Sequence, residues 1–255
     1  MAEWLEGLSA QAFFGAYPEC WVGLFMLLGW LAAPMLWRLV VFVPLRLSWQ
    51  WREAAQQELD LPLEPYPDVW VLWRQARSAA AAERVWRWLF RGVSALALGF
   101  VAWRFGVGWP ALWGAAFSLW LLVMSAIDAR MRLLPDGLTL SCLWLGLSSH
   151  LVRGDLGALA EGVWGVLLGY GVLWGAAWVF KRLTAQEGMG HGDFKLFAAL
   201  GAWLGWVALP WVLFLAAGLG VLWALASGRG HRAAIPFGPS LALAGWLVWL
   251  WGPIY

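Results

Sequence analysis

Charged residues are scarce in this sequence: they make up 13% of its 255 residues, whereas soluble domains carry about 25%. A chain with so few charges cannot cover a soluble surface. Hydrophobic residues make up 62% of the sequence, and the mean hydropathy is +0.68. The formal net charge of +2 is too small for phosphate-driven binding of nucleic acid. We therefore interpret the chain as a polytopic membrane protein and exclude nucleic acid as a partner.

Cysteine and the familiar catalytic motifs are also lacking. Cys20 and Cys142 are the only cysteines, and neither belongs to a Cys-x-x-Cys pair, so we expect no cysteine-based zinc site. The sequence contains no Gly-x-Ser-x-Gly elbow and no His-Glu-x-x-His motif, which are the signatures of α/β-hydrolases and zinc proteases. Tryptophan, in contrast, occurs 25 times. That is more than interfacial belts need, so some tryptophans must pack in the core.

Long apolar runs bounded by charges, Gly or Pro predict about eight membrane spans, several of them shorter than the roughly 20 residues that a bilayer requires. Backbone polar groups in lipid must be satisfied within the segment, so these spans are predicted to be helices. The expected fold class is therefore all-α, a polytopic integral membrane protein. The predicted spans lie near 20–43, 92–107, 110–127, 137–152, 157–180, 196–209, 211–227 and 235–252.

The distribution of Lys and Arg predicts the orientation. Fourteen of the 17 fall on one side of the eight-span arrangement, and the positive-inside rule makes that side cytoplasmic and both termini periplasmic. No Lys or Arg precedes Arg38, so we expect no cleavable signal peptide. The expected organisation is an external N-terminus with the first span over 1–43, a cytoplasmic loop over 44–91, and a membrane core over 92–255.

Two aspartates are the candidate catalytic residues. Asp128 ends the third predicted span and Asp193 precedes the sixth, which places both at the cytoplasmic boundary. Ionisable groups at membrane depth indicate function. Two close carboxylates share a proton, so that one can activate water while the other protonates the scissile carbonyl oxygen. Asp193 lies just before a helix, where the dipole favours a carboxylate, whereas Asp128 ends a helix, where the dipole disfavours one, although Arg130 and Arg132 offset this. We therefore expect Asp193 to be the ionised base and Asp128 the acid.

A glycine-dense loop precedes Asp193. Gly188, Gly190 and Gly192 alternate there, and glycine allows close backbone approach and positive φ. We expect these three glycines and Lys195 to form the supporting part of the site. His191 lies in the same loop without a second His or Cys nearby, so we interpret it as a loop residue and expect no metal.

Three segments together resemble the type IV prepilin peptidase family, over about residues 92–252. They are the segment around Asp128 with the Pro135-Asp136 pair, the run Glu187–Leu196 containing Gly-x-Gly-Asp, and the run Ile235–Ala244. In this resemblance Asp193 matches the aspartate of the family's Gly-x-Gly-Asp motif, and Asp128 matches its partner. The resemblance implies cleavage of the basic leader of prepilin or pseudopilin precursors at the cytoplasmic face of a bacterial inner membrane. It also implies methylation of the new N-terminus with S-adenosylmethionine.

The sequence departs from this family in one respect. Many bacterial members carry four zinc-binding cysteines in the first cytoplasmic loop, and residues 44–91 contain none. We therefore expect no zinc and no cofactor for proteolysis, and methyl transfer rests on the resemblance alone. Two alternatives stay open at this point: a Gly-x-Gly-Asp intramembrane protease of other substrates, and a transporter or assembly scaffold that uses the two aspartates for proton relay.

The expected cytoplasmic loop also contains an acidic stretch. Between Arg52 and Arg74 the sequence has five Asp or Glu residues and no Lys or Arg. These acids either attract a basic leader to this face or simply solvate the loop, and the sequence leaves both interpretations open.

Overall fold

The computed structural model describes residues 15, 17–62, 65–186, 190–226 and 236–252. Within these residues the secondary structure is helical and no strand occurs, so the predicted all-α class is confirmed. The helices are α1 (Pro18–Glu58), α2 (Val69–Ala82), α3 (Arg84–Phe105), α4 (Trp109–Met131), α5 (Asp136–Val152), α6 (Leu156–Thr184), α7 (His191–Leu204), α8 (Leu209–Ala226) and α9 (Gly238–Trp251).

A helix lies at each of the eight predicted spans. Five helices of the described part, α1, α3, α4, α6 and α8, are long and apolar enough to cross a membrane, which confirms a multi-pass membrane protein. The remaining three, α5, α7 and α9, have 17, 14 and 14 residues, fewer than the roughly 20 that span a bilayer unaided. The figure of eight crossings stays a prediction.

The segment expected as a cytoplasmic loop is largely helical. Helix α1 continues through Pro44 to Glu58, α2 follows, and α3 already begins at Arg84. The Asp68 side chain caps α2 by accepting a hydrogen bond from the N–H of Trp70 at 3.2 Å, as N-cap residues do. Hydropathy predicts where a chain leaves the apolar phase, but it does not distinguish a polar helix from a loop.

The chain forms two compact units, Met1–Ala115 and Ala116–Tyr255. In the first unit α1 packs along α3 through residues spaced four apart, among them Phe25, Gly29, Ala33 and Trp37. This is the spacing of one helix face. Glycine is required in this stripe, because a Cβ at Gly29 would lie 2.6 Å from the Ser94 carbonyl oxygen.

In the second unit α7 is the central helix, in contact with α5, α6, α8 and α9. Its residues from Leu196 to Trp203 are all buried. Helix α6 approaches it through Gly162, Gly165 and Gly169, and a Cβ on Gly165 would collide with the backbone of Gly201. Small residues allow this close packing between membrane helices.

Tryptophans fix the neighbours of α7, as expected from their number. The Trp203 Nε1 donates a hydrogen bond to the Cys142 carbonyl oxygen at 2.9 Å, and its ring stacks on Phe117 with centroids 4.6 Å apart. The Trp246 Nε1 donates to the Ser118 Oγ at 2.9 Å. These contacts join α4, α5 and α9 into one framework with α7, the helix that begins with Asp193.

Candidate active site

Asp128 lies in the last turn of α4. The helix ends just beyond it, where Arg132 has a φ of 54° and donates its N–H to the Asp128 carbonyl oxygen at 2.8 Å. The Asp128 residue is only 5% exposed, so its carboxylate is held inside the second unit rather than in solvent.

The start of α9 contacts this carboxylate directly. The N–H of Gly238 donates a hydrogen bond to Asp128 Oδ2 at 3.0 Å. A Cβ on residue 238 would lie 2.6 Å from the same oxygen, a distance that real Cβ atoms essentially never show. The observed position of the Asp128 carboxylate therefore requires glycine at residue 238.

Asp193 lies in the first turn of α7, ahead of the predicted span at 196–209, and its N–H donates to the Gly190 carbonyl oxygen at 3.1 Å. Burial, and after it the negative charge of Asp128, raise the pKa of Asp193 to about 7, although a hydrogen bond with the Gly190 backbone opposes this rise. The two predicted aspartates are thus close enough to interact electrostatically. A carboxyl with a pKa near neutrality is suited to proton transfer.

The predicted supporting glycines lie at or near the start of α7. Gly190 has a φ of −75°, so this residue does not use the positive φ that glycine allows. Gly192 lies in α7 and is needed for packing, because a Cβ there would be 2.7 Å from Leu134 Cβ. Gly188 lies outside the described residues. These contacts fix the start of α7 to the segment that follows α4.

Lys195 pairs with the aspartate of the Pro-Asp motif. Its Nζ lies 2.6 Å from Asp136 Oδ1, with the lysine side chain 27% and the aspartate side chain 63% exposed. The pair connects the N-terminal ends of α7 and α5. Together with the Gly192 contact, it gives the turn that carries Asp193 two attachments to the same neighbouring segment.

Gly238 is the site residue that sequence reasoning missed. The sequence run Ile235–Ala244 was recognised only as one of the three motifs of the family resemblance, and no role was predicted for its glycine. The available signal was the Gly238-Pro239 pair near the start of a predicted span. Proline has no N–H, so the N–H of Gly238 is the donor that this pair offers to a partner. Burial raises the pKa of both aspartates, and together with the charge of Asp128 it raises that of Asp193 to about 7, whereas the N–H of Gly238 opposes the rise at Asp128. The structure therefore favours the opposite proton assignment from the expected one.

In the described part of the chain no group of three or more His, Cys, Asp and Glu side chains is placed to hold a metal ion. His191, the histidine of the glycine-dense loop, has its ring near that of Phe194, with centroids 5.5 Å apart.

These features define an all-helical, multi-pass membrane protein with a pair of interacting aspartates. Residues 115–225, which contain both aspartates, match the type IV leader peptidase family. The chain is 39% identical to a prepilin leader peptidase/N-methyltransferase of Xanthomonas campestris pv. campestris, over 88% of this chain and 89% of that protein. It is 36% identical to the protein of that name from Stutzerimonas stutzeri, over 94% of each.

A third relative of the same name, from Pseudomonas aeruginosa, is 48% identical over 62% of this chain and 56% of its own length. No solved structure matches the chain. The chain belongs to the type IV leader peptidase family, which confirms the resemblance drawn from the three motifs. It is an enzyme with protease activity and a multi-pass protein of the inner membrane.

Proposed function

We propose that this protein cleaves the basic leader from type IV prepilin or pseudopilin precursors at the cytoplasmic face of the inner membrane. The observation that carries the proposal is the electrostatic interaction between Asp128 and Asp193 in a chain of the leader peptidase family. The two carboxylates come from the end of α4 and the beginning of α7. No covalent nucleophile is needed for a pair of this kind.

The reaction uses one ionised and one protonated aspartate. The ionised carboxylate removes a proton from water while the oxygen attacks the scissile carbonyl carbon, and the protonated carboxyl gives its proton to the carbonyl oxygen. The resulting diol breaks down when the first aspartate returns its proton to the amide nitrogen and the C–N bond breaks. A diol hydroxyl restores the proton of the second aspartate, so both groups end in their starting states.

The proposed orientation agrees with this substrate. Lys and Arg concentrate on one side of the predicted spans, and the positive-inside rule makes that side cytoplasmic and both termini periplasmic. Asp128 and Asp193 fall on the same side. A leader rich in Lys or Arg remains on the cytoplasmic side for the same physical reason, so the bond to be cut and the carboxylates meet at one face.

Methylation of the new N-terminus is a second proposed step, supported by the N-methyltransferase in the names of the relatives. S-adenosylmethionine would supply an electrophilic methyl group to the free amine. The described residues contain no strand, so the strand-loop-helix arrangement that binds nucleotide phosphates and ribose is missing there.

The test is cleavage of a prepilin-like precursor by the detergent-solubilised protein, without nucleotide or ion gradient. Asp128→Asn and Asp193→Asn should each abolish cleavage while the protein still inserts into the membrane. Asp136→Asn should be milder, because this residue pairs with Lys195 rather than with the dyad. Asp155→Asn is the matched control: the Asp155 side chain caps α6 by accepting the N–H of Ala158 at 2.9 Å, and asparagine can do the same. A transporter or scaffold would not cleave the precursor, and full cleavage by either dyad variant would exclude the mechanism.

A further inference from the structure

We infer that Gly238 is a positioning residue for Asp128: its N–H keeps Asp128 as the ionised, water-activating member of the pair, and Asp193 supplies the proton. The inference rests on the proposed peptidase function and assigns the roles within it. It reverses the assignment that the helix dipole of α7 alone suggested.

The contact is direct and specific to glycine. The Gly238 N–H lies 3.0 Å from Asp128 Oδ2. A Cβ on residue 238 would lie 2.6 Å from that oxygen, 3.0 Å from Cγ and 3.2 Å from Cβ of Asp128. The side chain of Asp128 therefore lies flat against the backbone of the first turn of α9, and any larger residue would displace it.

The donor suits an ionised carboxylate. The first N–H groups of a helix have no partner within the helix, and this end of the helix carries partial positive charge. Pro239 follows directly, and it contributes no N–H. The N–H of Gly238 is thus directed at the carboxylate as a charge-assisted donor, the kind of hydrogen bond that favours the charged form.

The donor is also preorganised. Pro236 and Pro239 enclose the turn, and proline fixes its own φ near −65°. The Phe237 carbonyl oxygen accepts the N–H of Leu241 at 3.0 Å, which closes the first turn of α9. A donor held in this way needs no reorganisation during the reaction. The backbone of α9 therefore orients Asp128 without contributing a side chain.

The first experiment compares Gly238→Ala with Gly218→Ala in the precursor cleavage assay. Gly218 is a helical glycine of α8 with open space where a Cβ would lie, so it controls for adding a methyl group to a helix. We expect Gly238→Ala to lower kcat by about 10- to 100-fold with little change in KM. The acidic limb of its pH profile for kcat should move upward by about one pH unit, because the ionised base loses its donor. Gly218→Ala should resemble the parent.

The outcomes separate the inference from the proposed function. If the parent protein does not cleave the precursor, the proposed function fails. If the parent cleaves it and Gly238→Ala has the kcat of Gly218→Ala, the positioning role is wrong. A lower kcat with an unmoved acidic limb would mean that Gly238 serves packing only, which also overturns the inference.

A second measurement does not depend on folding of a glycine variant. The sequence has six aspartates, so the parent protein can be labelled with ¹³Cγ-aspartate and its carboxyl signals assigned with Asp128→Asn and Asp193→Asn. At pH 6 we expect the Asp128 signal at the ionised position and the Asp193 signal at the protonated position. The reverse pattern would overturn the assignment.

Discussion

Replacing Asp193 with asparagine should stabilise the protein at pH 8, although it removes one member of the proposed catalytic pair. Burial and the charge of Asp128 raise the pKa of Asp193 from 3.8 to about 7. The folded protein therefore binds this proton more tightly than the unfolded chain does. The contribution of Asp193 to stability is present in full below about pH 4 and is lost as the pH rises to about 7.

The size of the effect follows from the pKa. A difference between 3.8 and about 7 corresponds to a cost on the order of 4 kcal/mol for holding the ionised group in the fold. Asp193 is only partly buried, so part of this cost is screened. The amide of asparagine carries no charge at either pH, and it removes the cost that the ionised carboxylate has above about pH 7.

Thermal unfolding in detergent, followed by tryptophan fluorescence, measures the effect. We expect the Tm of Asp193→Asn to exceed that of the parent by roughly 5–10 °C at pH 8, and by clearly less at pH 5. Asp60→Asn is the control, because it replaces an exposed carboxyl in the other unit. An equal gain at both pH values, or a lower Tm at pH 8, would refute the electrostatic argument.

Three further predictions concern the ion pair, metal and substrate attraction. Lys195→Met and Asp136→Asn should each lower kcat by a similar modest factor, about 2- to 5-fold, because exposed ion pairs contribute roughly 0.2–1 kcal/mol. The double variant should be no worse than either single variant. Additive losses would contradict a shared role for the two residues. Exhaustive chelation should leave the cleavage rate unchanged, and a loss that zinc restores would show a metal requirement. Neutralising the acids between Arg52 and Arg74 should raise KM and flatten its salt dependence at constant kcat, whereas an unchanged KM would mean that they only solvate the surface. These acids are Glu53, Glu58, Asp60, Glu64 and Asp68, of which Glu64 lies outside the described residues.

The aspartate pair could be found from the sequence because charge is rare in this chain. In a chain that is 13% charged, a carboxylate at the end of an apolar run is conspicuous, and the residues around Asp128 and Asp193 carry the family motifs. The all-α class followed from hydropathy for a similar reason, since a long apolar run in lipid has few structures available.

The partners of the site residues could not be found in this way, because they depend on tertiary packing. Gly238 meets Asp128 across 110 positions of sequence, and Lys195 meets Asp136 across 59. The start of α7 was also misplaced. The helix begins at His191, five residues before the predicted span, because the polar first turn with Asp193 is helical but not hydrophobic.

The contact between Gly165 and Gly201 has a consequence for how this protein can diverge. A Cβ on either residue would collide with the backbone of the other, so neither residue can accept even a methyl group unless α6 and α7 separate. In a packed layer of side chains, a smaller residue at one position can be compensated by a larger residue at its neighbour. Two facing glycines have no side-chain volume to redistribute, so no compensating substitution is available at these two positions. Substitutions in the second unit can therefore change the side chains packed around α7, but the crossing of α6 and α7 must stay the same. This crossing keeps α7, and with it Asp193, in a constant position.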